Sequence, residues 1–139
     1  MKEKSCGAVI YYQHDDVRVY LLIQHVNGGH WAFAKGHVEN EETEVETALR
    51  EIKEETQLEV ILDANFRSEV TYSPKPGVVK DVIYFIAESK SLNVMNQQEE
   101  VTQIMWLPLE EALQRLTYES DRQVLTDASA YLDSLERNE

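Results

Sequence analysis

The segment Gly36–Leu58, GHVENEETEVETALREIKEETQL, constrains this chain more than any other part of it. Nine carboxylates and two basic side chains lie between Glu39 and Glu59. Glu51, Glu54 and Glu55 stand at i, i+3 and i+4, so a helix puts them on one face. Like charges at that spacing repel and weaken a helix. A hard divalent cation reverses the sign, because magnesium takes oxygen ligands from a few carboxylates and from substrate phosphates. A run of Glu by itself reads first as a solvated helix face. Here Val45, Ala48, Leu49 and Ile52 recur at helical spacing beside the carboxylates and form an apolar stripe. The segment therefore reads as a helix docked on a core with an acidic, metal-binding face beside it. Arg50, its sole Arg, reaches Glu46 or Glu54, each four residues away.

The flanking sequence alternates between strand and helix signals. Residues 4–13 and 17–24 are β-rich and flank His14-Asp15-Asp16, which predicts a hairpin. Asn27-Gly28-Gly29 breaks the chain before Trp31. The acidic helix covers about 43–56, and strands follow near 59–72 and 78–89, divided by the turn Pro74-Lys75-Pro76-Gly77. A short strand covers 103–107, and Pro108 opens a helix at its first position, over about 108–116. Ser120 with Gln123 has the form of a capping box. The stripe Val124, Leu125, Ala128, Tyr131, Leu132 and Leu135 then marks a core-packing helix. Strands and helices mix without regular βαβ alternation. The expected fold is α/β of the α+β kind, a mixed sheet between helices in an α/β/α sandwich. Residues 1–139 are expected to form a single domain.

A formal net charge of −13 and a pI near 4.7 repel nucleic acid and anionic membranes at long range. A polyphosphate is repelled too, unless lysines and a metal focus positive charge locally. Cys6 is the only cysteine, which excludes an internal disulfide and suits a reducing cytoplasm. It lies in a strand-like run, which disfavours a catalytic role. Residues 1–12 lack the apolar region of a signal peptide, and no apolar run reaches spanning length. The expectation is a cytoplasmic protein with no membrane contact and no obligate protein partner.

The segment matches the Nudix hydrolase signature: Gly, five residues, Glu, seven residues, Arg-Glu, an aliphatic, any residue, Glu-Glu, any residue, Gly, an aliphatic. It maps onto Gly36, Glu42, Arg50, Glu51, Ile52, Glu54, Glu55 and Leu58, with Gln57 in place of the second glycine. On these residues the chain is identified as a member of that family. The resemblance implies the sandwich fold and a loop–helix–loop that binds magnesium, or manganese in its place, through Glu51, Glu54 and Glu55. It also implies the Gly36 carbonyl as a further ligand, Arg50 as the residue orienting Glu54, and Glu42 as a structural tie. Family members attack phosphorus with water on nucleoside-diphosphate-linked substrates. A glycine past a helix end adopts left-handed backbone freely; Gln57 there costs about 1 kcal/mol if the geometry is kept.

Further features resemble one group of the family, the asymmetrical diadenosine tetraphosphate hydrolases. They are Ser5-Cys6-Gly7-Ala8-Val9-Ile10, His30-Trp31 ahead of Lys35-Gly36-His37-Val38-Glu39, Lys80-Asp81-Val82-Ile83-Tyr84, and Glu100 six residues before Trp106. This resemblance implies phosphate-chain contacts from His30, Lys35 and Lys80, adenine stacking by Tyr84, and a phosphate or base contact from Tyr72. It implies Glu100 as an extra metal ligand or general base, with Glu54 the other candidate base and Glu99 a close competitor. Ala34 stands where proline is often found, which loosens the loop ahead of Lys35. Each residue has a plainer reading: a surface histidine, solvated lysines, a core tyrosine at 84, a paired strand tyrosine at 72, and a polar loop around Glu100. The implied activity is magnesium-dependent cleavage of a dinucleoside tetraphosphate into a nucleoside triphosphate and a monophosphate. Nucleoside triphosphates, 5′-triphosphorylated RNA ends, nucleotide sugars and inositol pyrophosphates are the alternative substrates. The acidic surface disfavours long RNA, and the lack of a basic patch disfavours inositol pyrophosphates. A nucleotide-binding module without catalysis is the reading from another class, and the intact Glu51, Glu54 and Glu55 argue against it.

Overall fold

Side-chain alternation along a few long strands builds both faces of one sheet. The computed structural model describes residues 1–26, 28–95 and 101–137. Its elements are β1 (Lys2–His14), β2 (Val17–His25), β3 (Trp31–Ala32), β4 (Ala34–His37), α1 (Glu44–Thr56), β5 (Val60–Lys75), β6 (Val78–Ser89), β7 (Val101–Leu107), α2 (Leu109–Arg115) and α3 (Glu119–Arg137). On β6, Ile83, Phe85 and Ala87 join Cys6, Ala8 and Ile10 of β1 against Ala48 and Ile52 of α1. Their alternates Val82, Tyr84 and Ile86 join Val9 against Val124, Leu125, Ala128 and Leu132 of α3. Successive side chains of a strand point to opposite faces, so two cores arise from one sheet. The result is the expected α/β/α layering.

The strand order is β3-β2-β1-β6-β5, with β4 pairing β1 and β7 pairing β2. β1 and β6 run parallel and the other pairs run antiparallel, so the sheet is mixed. β1 pairs β2 only through Tyr11–His14, and β4 takes over the same strand at Ser5–Ala8. Beyond the hairpin the two long strands diverge, and the β3–β4 segment occupies the opening. Gly7 makes that close pairing possible, because a Cβ there would collide with the Ala34 carbonyl and Lys35. The functional cleft forms along this divergence.

The hairpin and the strand at 78–89 lie where the sequence places them. β5 runs to Lys75 and β7 starts at Val101, both longer than the apolar pattern suggested. β3 and β4 are two and four residues long, too short for a periodicity signal. Pro108 is extended at φ −61° and ψ 161°, so it caps α2 from outside rather than filling its first position. α3 begins before Ser120, and Gln123 donates forward to Asp127 at 2.9 Å, so no capping box forms there. Leu49 is 38% exposed, because the buried face of α1 centres on Ala48, Ile52 and Glu55 and turns Leu49 to its flank. Leu135 likewise is exposed near the end of α3. Cys6 is buried, and burial pushes its thiol up to about 11, which makes it inert. No helix among the described residues is long and apolar enough to cross a membrane.

Candidate active site

The start of α1 is fastened before any functional group is placed. Thr43 caps the helix, accepting from the Glu46 N–H at 3.1 Å, while Glu46 accepts from the Thr43 N–H at 2.8 Å. This reciprocal box occupies Glu46, so Arg50 does not pair with it. Asn40 and Glu41 turn the preceding loop through left-handed backbone at φ 49° and 64°. Glu42 ties loop to helix, accepting from the Glu39 N–H and the Thr47 hydroxyl, each at 3.0 Å.

Arg50 is the hub of this loop and helix. Its Nε and Nη2 donate to the two Glu42 oxygens at 2.7 and 2.9 Å, and Nη2 also donates to the His37 carbonyl at 2.9 Å. Nη1 donates to Glu51 at 2.8 Å and to Glu54 at 3.3 Å. The guanidinium thus grips Glu42 in bidentate fashion, and its longest hydrogen bond is to the residue it was expected to orient. Its hydrogen bonds hold the Glu42 carboxyl at about 2. Glu51 sits differently: burial raises its pKa, against the pull of Arg50 and with the push of Glu54 and Glu39.

Gly36 lies directly beneath Glu51, where an added Cβ would collide with the carboxylate. The glycine is required for close approach, not for an unusual dihedral. Glu55, a carboxyl side chain, is almost fully buried and accepts from the Lys35 N–H at 3.0 Å. Glu54 stands outermost, with its side chain 45% exposed. At the far end of the helix Gln57 keeps the left-handed conformation, at φ 63°. Its backbone N–H and its side-chain amide both donate to the Lys53 carbonyl at 2.9 Å. The second bond offsets part of the strain that a glycine would avoid.

The carboxylates open into a cavity of about 390 Å³ whose wall includes Gly36, Glu39, Glu51, Glu55, Lys35 and Lys80. A second cavity of about 410 Å³ is bounded by Ala32, Val70, Tyr72, Tyr84, Tyr118 and Asp121. His30, Lys35 and Tyr72 belong to both walls, so the two form one cleft. Among the described residues neither Lys35 nor Lys80 makes an ion pair. Burial and the nearby Lys35 charge lower the pKa of Lys80. Two cations facing each other in a cleft attract an anion strongly.

The structure thus brings His30, Lys35, Gly36, Glu51, Glu55, Tyr72 and Lys80 to one cleft. Tyr84 lines the other end of the same cleft. It is 2% exposed, packs edge-on to Phe33 with ring centroids 5.4 Å apart, and donates to Asp121 at 3.3 Å. Phe33 and Asp121 thus fix the Tyr84 ring where it forms part of the cleft floor. The exposed rings at this mouth are Tyr72 and Tyr118. Glu99 and Glu100 lie outside the described residues.

Sequence reasoning missed Tyr118, Asp121, His25, Ser5 and Glu39 as cleft residues. Tyr118 is positioned by its neighbour: the Trp31 N–H donates to the Thr117 hydroxyl at 2.8 Å, pinning the α2–α3 connection onto β3. His25 stacks on His30 with centroids 4.7 Å apart and planes 15° from parallel, and His30 meets Tyr118 at 5.6 Å. The nearest signal was the spacing of His25 and His30 about Gly28-Gly29, and the two histidines meet through the His25 N–H and the His30 carbonyl at 2.9 Å.

The donor set suits a hard dication: several carboxylate oxygens, one half-buried, over a glycine that leaves them room. Among the described residues no three His, Cys, Asp or Glu side chains form a ready cage. Arg50 engages Glu51 and Glu54, and the Lys35 N–H engages Glu55. Magnesium does not need such a cage, since it is usually held by one or two carboxylates with substrate phosphates and water.

Comparison with known proteins agrees with this geometry. The NUDIX domain model matches residues 1–128. The asymmetrical bis(5′-nucleosyl)-tetraphosphatase of Mus musculus is 35% identical over 145 residues, covering 96% of this chain and 98% of that protein. An 8-oxo-(d)GTP phosphatase of Mycolicibacterium smegmatis is 38% identical over 95 residues, covering 68% of this chain but 29% of that protein. The crystal structure of a C. elegans Ap4A hydrolase binary complex superposes with a TM-score of 0.87 at 28% identity, covering 95% of this chain and 98% of that one.

Proposed function

This chain belongs to the Nudix family of hydrolases, and from that premise we propose that it hydrolyses dinucleoside polyphosphates with magnesium, cutting diadenosine tetraphosphate asymmetrically into ATP and AMP. The observation that carries the reading is the single cleft joined through His30, Lys35 and Tyr72. A carboxylate end, a lysine-lined middle and a tyrosine-lined mouth match metal, phosphate chain and base in that order. The near-full-length similarity to the mouse tetraphosphatase supports the same substrate class.

Glu51, Glu54 and Glu55 would hold the metal, with the Gly36 carbonyl. Bound there, magnesium would polarise phosphoryl oxygens and lower the pKa of water. The remaining work falls to the chain. Lys35 and Lys80 neutralise the phosphate chain where the net charge of the protein would otherwise repel it. Arg50 keeps Glu51 and Glu54 aligned with the loop. Glu54, exposed on the helix that carries Glu51 and Glu55, accepts the proton of the attacking water, or Glu100 does. Tyr72 and Tyr118 clasp a base at the mouth, while Tyr84 and Asp121 form its floor.

The similarity to the 8-oxo-(d)GTP phosphatase favours a second reading, a nucleoside triphosphate as substrate with the same chemistry. Product analysis separates the two. Purified protein is given diadenosine tetraphosphate, nucleoside triphosphates and a 5′-triphosphorylated RNA, each with and without magnesium. ATP plus AMP, dependent on magnesium and formed faster than the other products, is the expected result. Turnover of a triphosphate alone discards the dinucleotide reading and keeps the chemistry. Binding without turnover of any substrate identifies a non-catalytic module.

A further inference from the structure

Among the described residues, two buried side-chain polar atoms have no hydrogen-bond partner, Ser5 Oγ and His25 Nε2. Both residues line the carboxylate end of the cleft, together with Lys35 and Lys80, and neither lines the tyrosine end. Ser5 is 1% exposed. A buried polar atom without a partner costs about 1–3 kcal/mol, and such atoms are rare enough that each calls for a reason. Two of them in one cavity wall, beside two lysines that make no ion pair among the described residues, share a reason.

Both groups are held rigidly. Ser5 sits inside β1, paired with His37 of β4 on one side and Val82 of β6 on the other. His25 ends β2, and its ring is stacked flat on His30. Burial, with help from Lys35, His30 and Lys80, keeps its pKa at about 4, so the ring is neutral near pH 7. A neutral imidazole and a hydroxyl each carry one proton to donate. Lysines supply charge without much direction, whereas neutral fixed donors supply direction without charge.

We propose that Ser5 Oγ and His25 Nε2 are positioning donors for the phosphate chain, hydrogen-bonding phosphoryl oxygens between the lysines and the carboxylates. This deepens the dinucleoside polyphosphate reading and rests on it. The ligand completes two donors that the folded chain leaves unpaired, so part of the binding energy comes from groups fixed before the substrate arrives. The reach of these donors toward the carboxylate end makes them readers of chain position, setting which phosphorus stands beside Glu51 and Glu55.

The test uses Ser5→Ala, His25→Ala and His25→Gln in the full chain. Steady-state kinetics on diadenosine tetraphosphate are combined with calorimetric binding of its non-hydrolysable methylene-bridged analogue, in magnesium. His25→Ala is expected to raise KM and the analogue Kd about tenfold, and Ser5→Ala about threefold to tenfold, with kcat within about twofold. His25→Gln keeps an amide donor at similar reach and recovers most of the loss. Melting temperatures stay level or rise, since each alanine removes an unpaired buried atom. Variants that bind like the wild type, or that lose kcat at unchanged KM, overturn the proposal. So does a loss in His25→Ala that tracks a fallen melting temperature while Ser5→Ala binds normally. A wild type that ignores the dinucleotide removes the parent reading and this one together; wild-type turnover with unaltered variants removes this one alone.

Discussion

At the carboxylate end of the cleft, Gly36, Glu39, Glu51 and Glu55 come from one continuous stretch of sequence, cross-braced by Arg50. At the tyrosine end, Ala32, Tyr72, Tyr84, Tyr118 and Asp121 come from β3, β5, β6, the α2–α3 connection and α3. The carboxylates of the first end are local, set by helical spacing and a capping box, although Ser5, His25 and Lys80 of β1, β2 and β6 complete its wall. The second is assembled only by the tertiary fold, and its groups are held by packing and a few long-range hydrogen bonds such as Trp31 to Thr117. Chemistry that tolerates little displacement sits on the local scaffold. Under the proposed function, recognition of a base, which tolerates more, falls to the assembled one.

Substitutions at the two ends are therefore expected to divide between kcat and KM. The largest effect is expected from Glu54→Gln, which keeps shape and removes charge. Loss of a metal ligand or base lowers kcat by at least about 10²-fold, while the exposed position of Glu54 leaves the melting temperature nearly unchanged. Normal turnover in this variant would remove Glu54 from the mechanism. Gly36→Ala comes next. The new methyl meets the Glu51 carboxylate, which is the mobile end of a side chain, so the stability cost stays near the low end of overpacking, about 1 kcal/mol. Displacing a reacting group by an ångström costs up to about 10²-fold in rate. A kcat loss far larger than the loss of stability is the signature to look for, by kinetics and thermal melting on one preparation.

The same contrast explains what the sequence disclosed. The signature from Gly36 to Leu58 was legible because helical periodicity, charge spacing and glycine placement all act within a few turns of chain. The two-sided sheet was legible from unbroken apolar runs such as Val82–Ala87, since a strand buried on both faces has no polar alternates. Tyr84 was legible in part: its run marks a buried strand, whereas its place in the cleft wall depends on how the strand packs in the fold. Tyr118 and His25 were invisible because nothing local marks them: one follows a loop pinned from β3, and the other ends a strand beside a Gly-Gly turn. Arg50 was half legible. Its reach to Glu54 follows from helix geometry, whereas its grip on Glu42 and the His37 carbonyl depends on how the loop folds back.

At the tyrosine end the effects are smaller and fall on KM. Tyr118→Ala removes an exposed ring beside His30, and base stacking is worth about 1–3 kcal/mol, so KM rises by about tenfold to a hundredfold with kcat little changed. Tyr84→Phe sharpens the comparison. It deletes the hydroxyl that donates to Asp121 and keeps the ring, so KM for the dinucleotide stays within about threefold of the wild type. A KM in Tyr84→Phe as high as in Tyr118→Ala would give the Tyr84 hydroxyl and Asp121 a direct part in base binding.

The smallest expected effect lies outside the cleft and tests whether the carboxylate end owes its order to its own bracing. Glu44, in the first turn of α1, accepts from Arg67 Nε and Nη2 of β5, both at 2.8 Å, and pairs with Lys4 of β1 at 2.6 Å. These partners, Arg67 first, hold its carboxyl at about 2, below the ordinary 4.5. A carboxyl depressed on folding stabilises the folded state above its unfolded pKa and loses that contribution as pH falls through the folded one. Arg67→Gln is therefore expected to melt slightly lower than the wild type above about pH 4.5, with the gap closing as pH falls toward 2. The pair is solvent-facing, so the gap is small and shrinks in high salt. Activity at neutral pH is expected to hold, because Arg50, Glu42 and the Thr43 cap remain to fix the loop and helix. A large activity loss in Arg67→Gln would mean that the acidic helix takes its position from the sheet, and that the carboxylate end is assembled by tertiary contacts as the tyrosine end is.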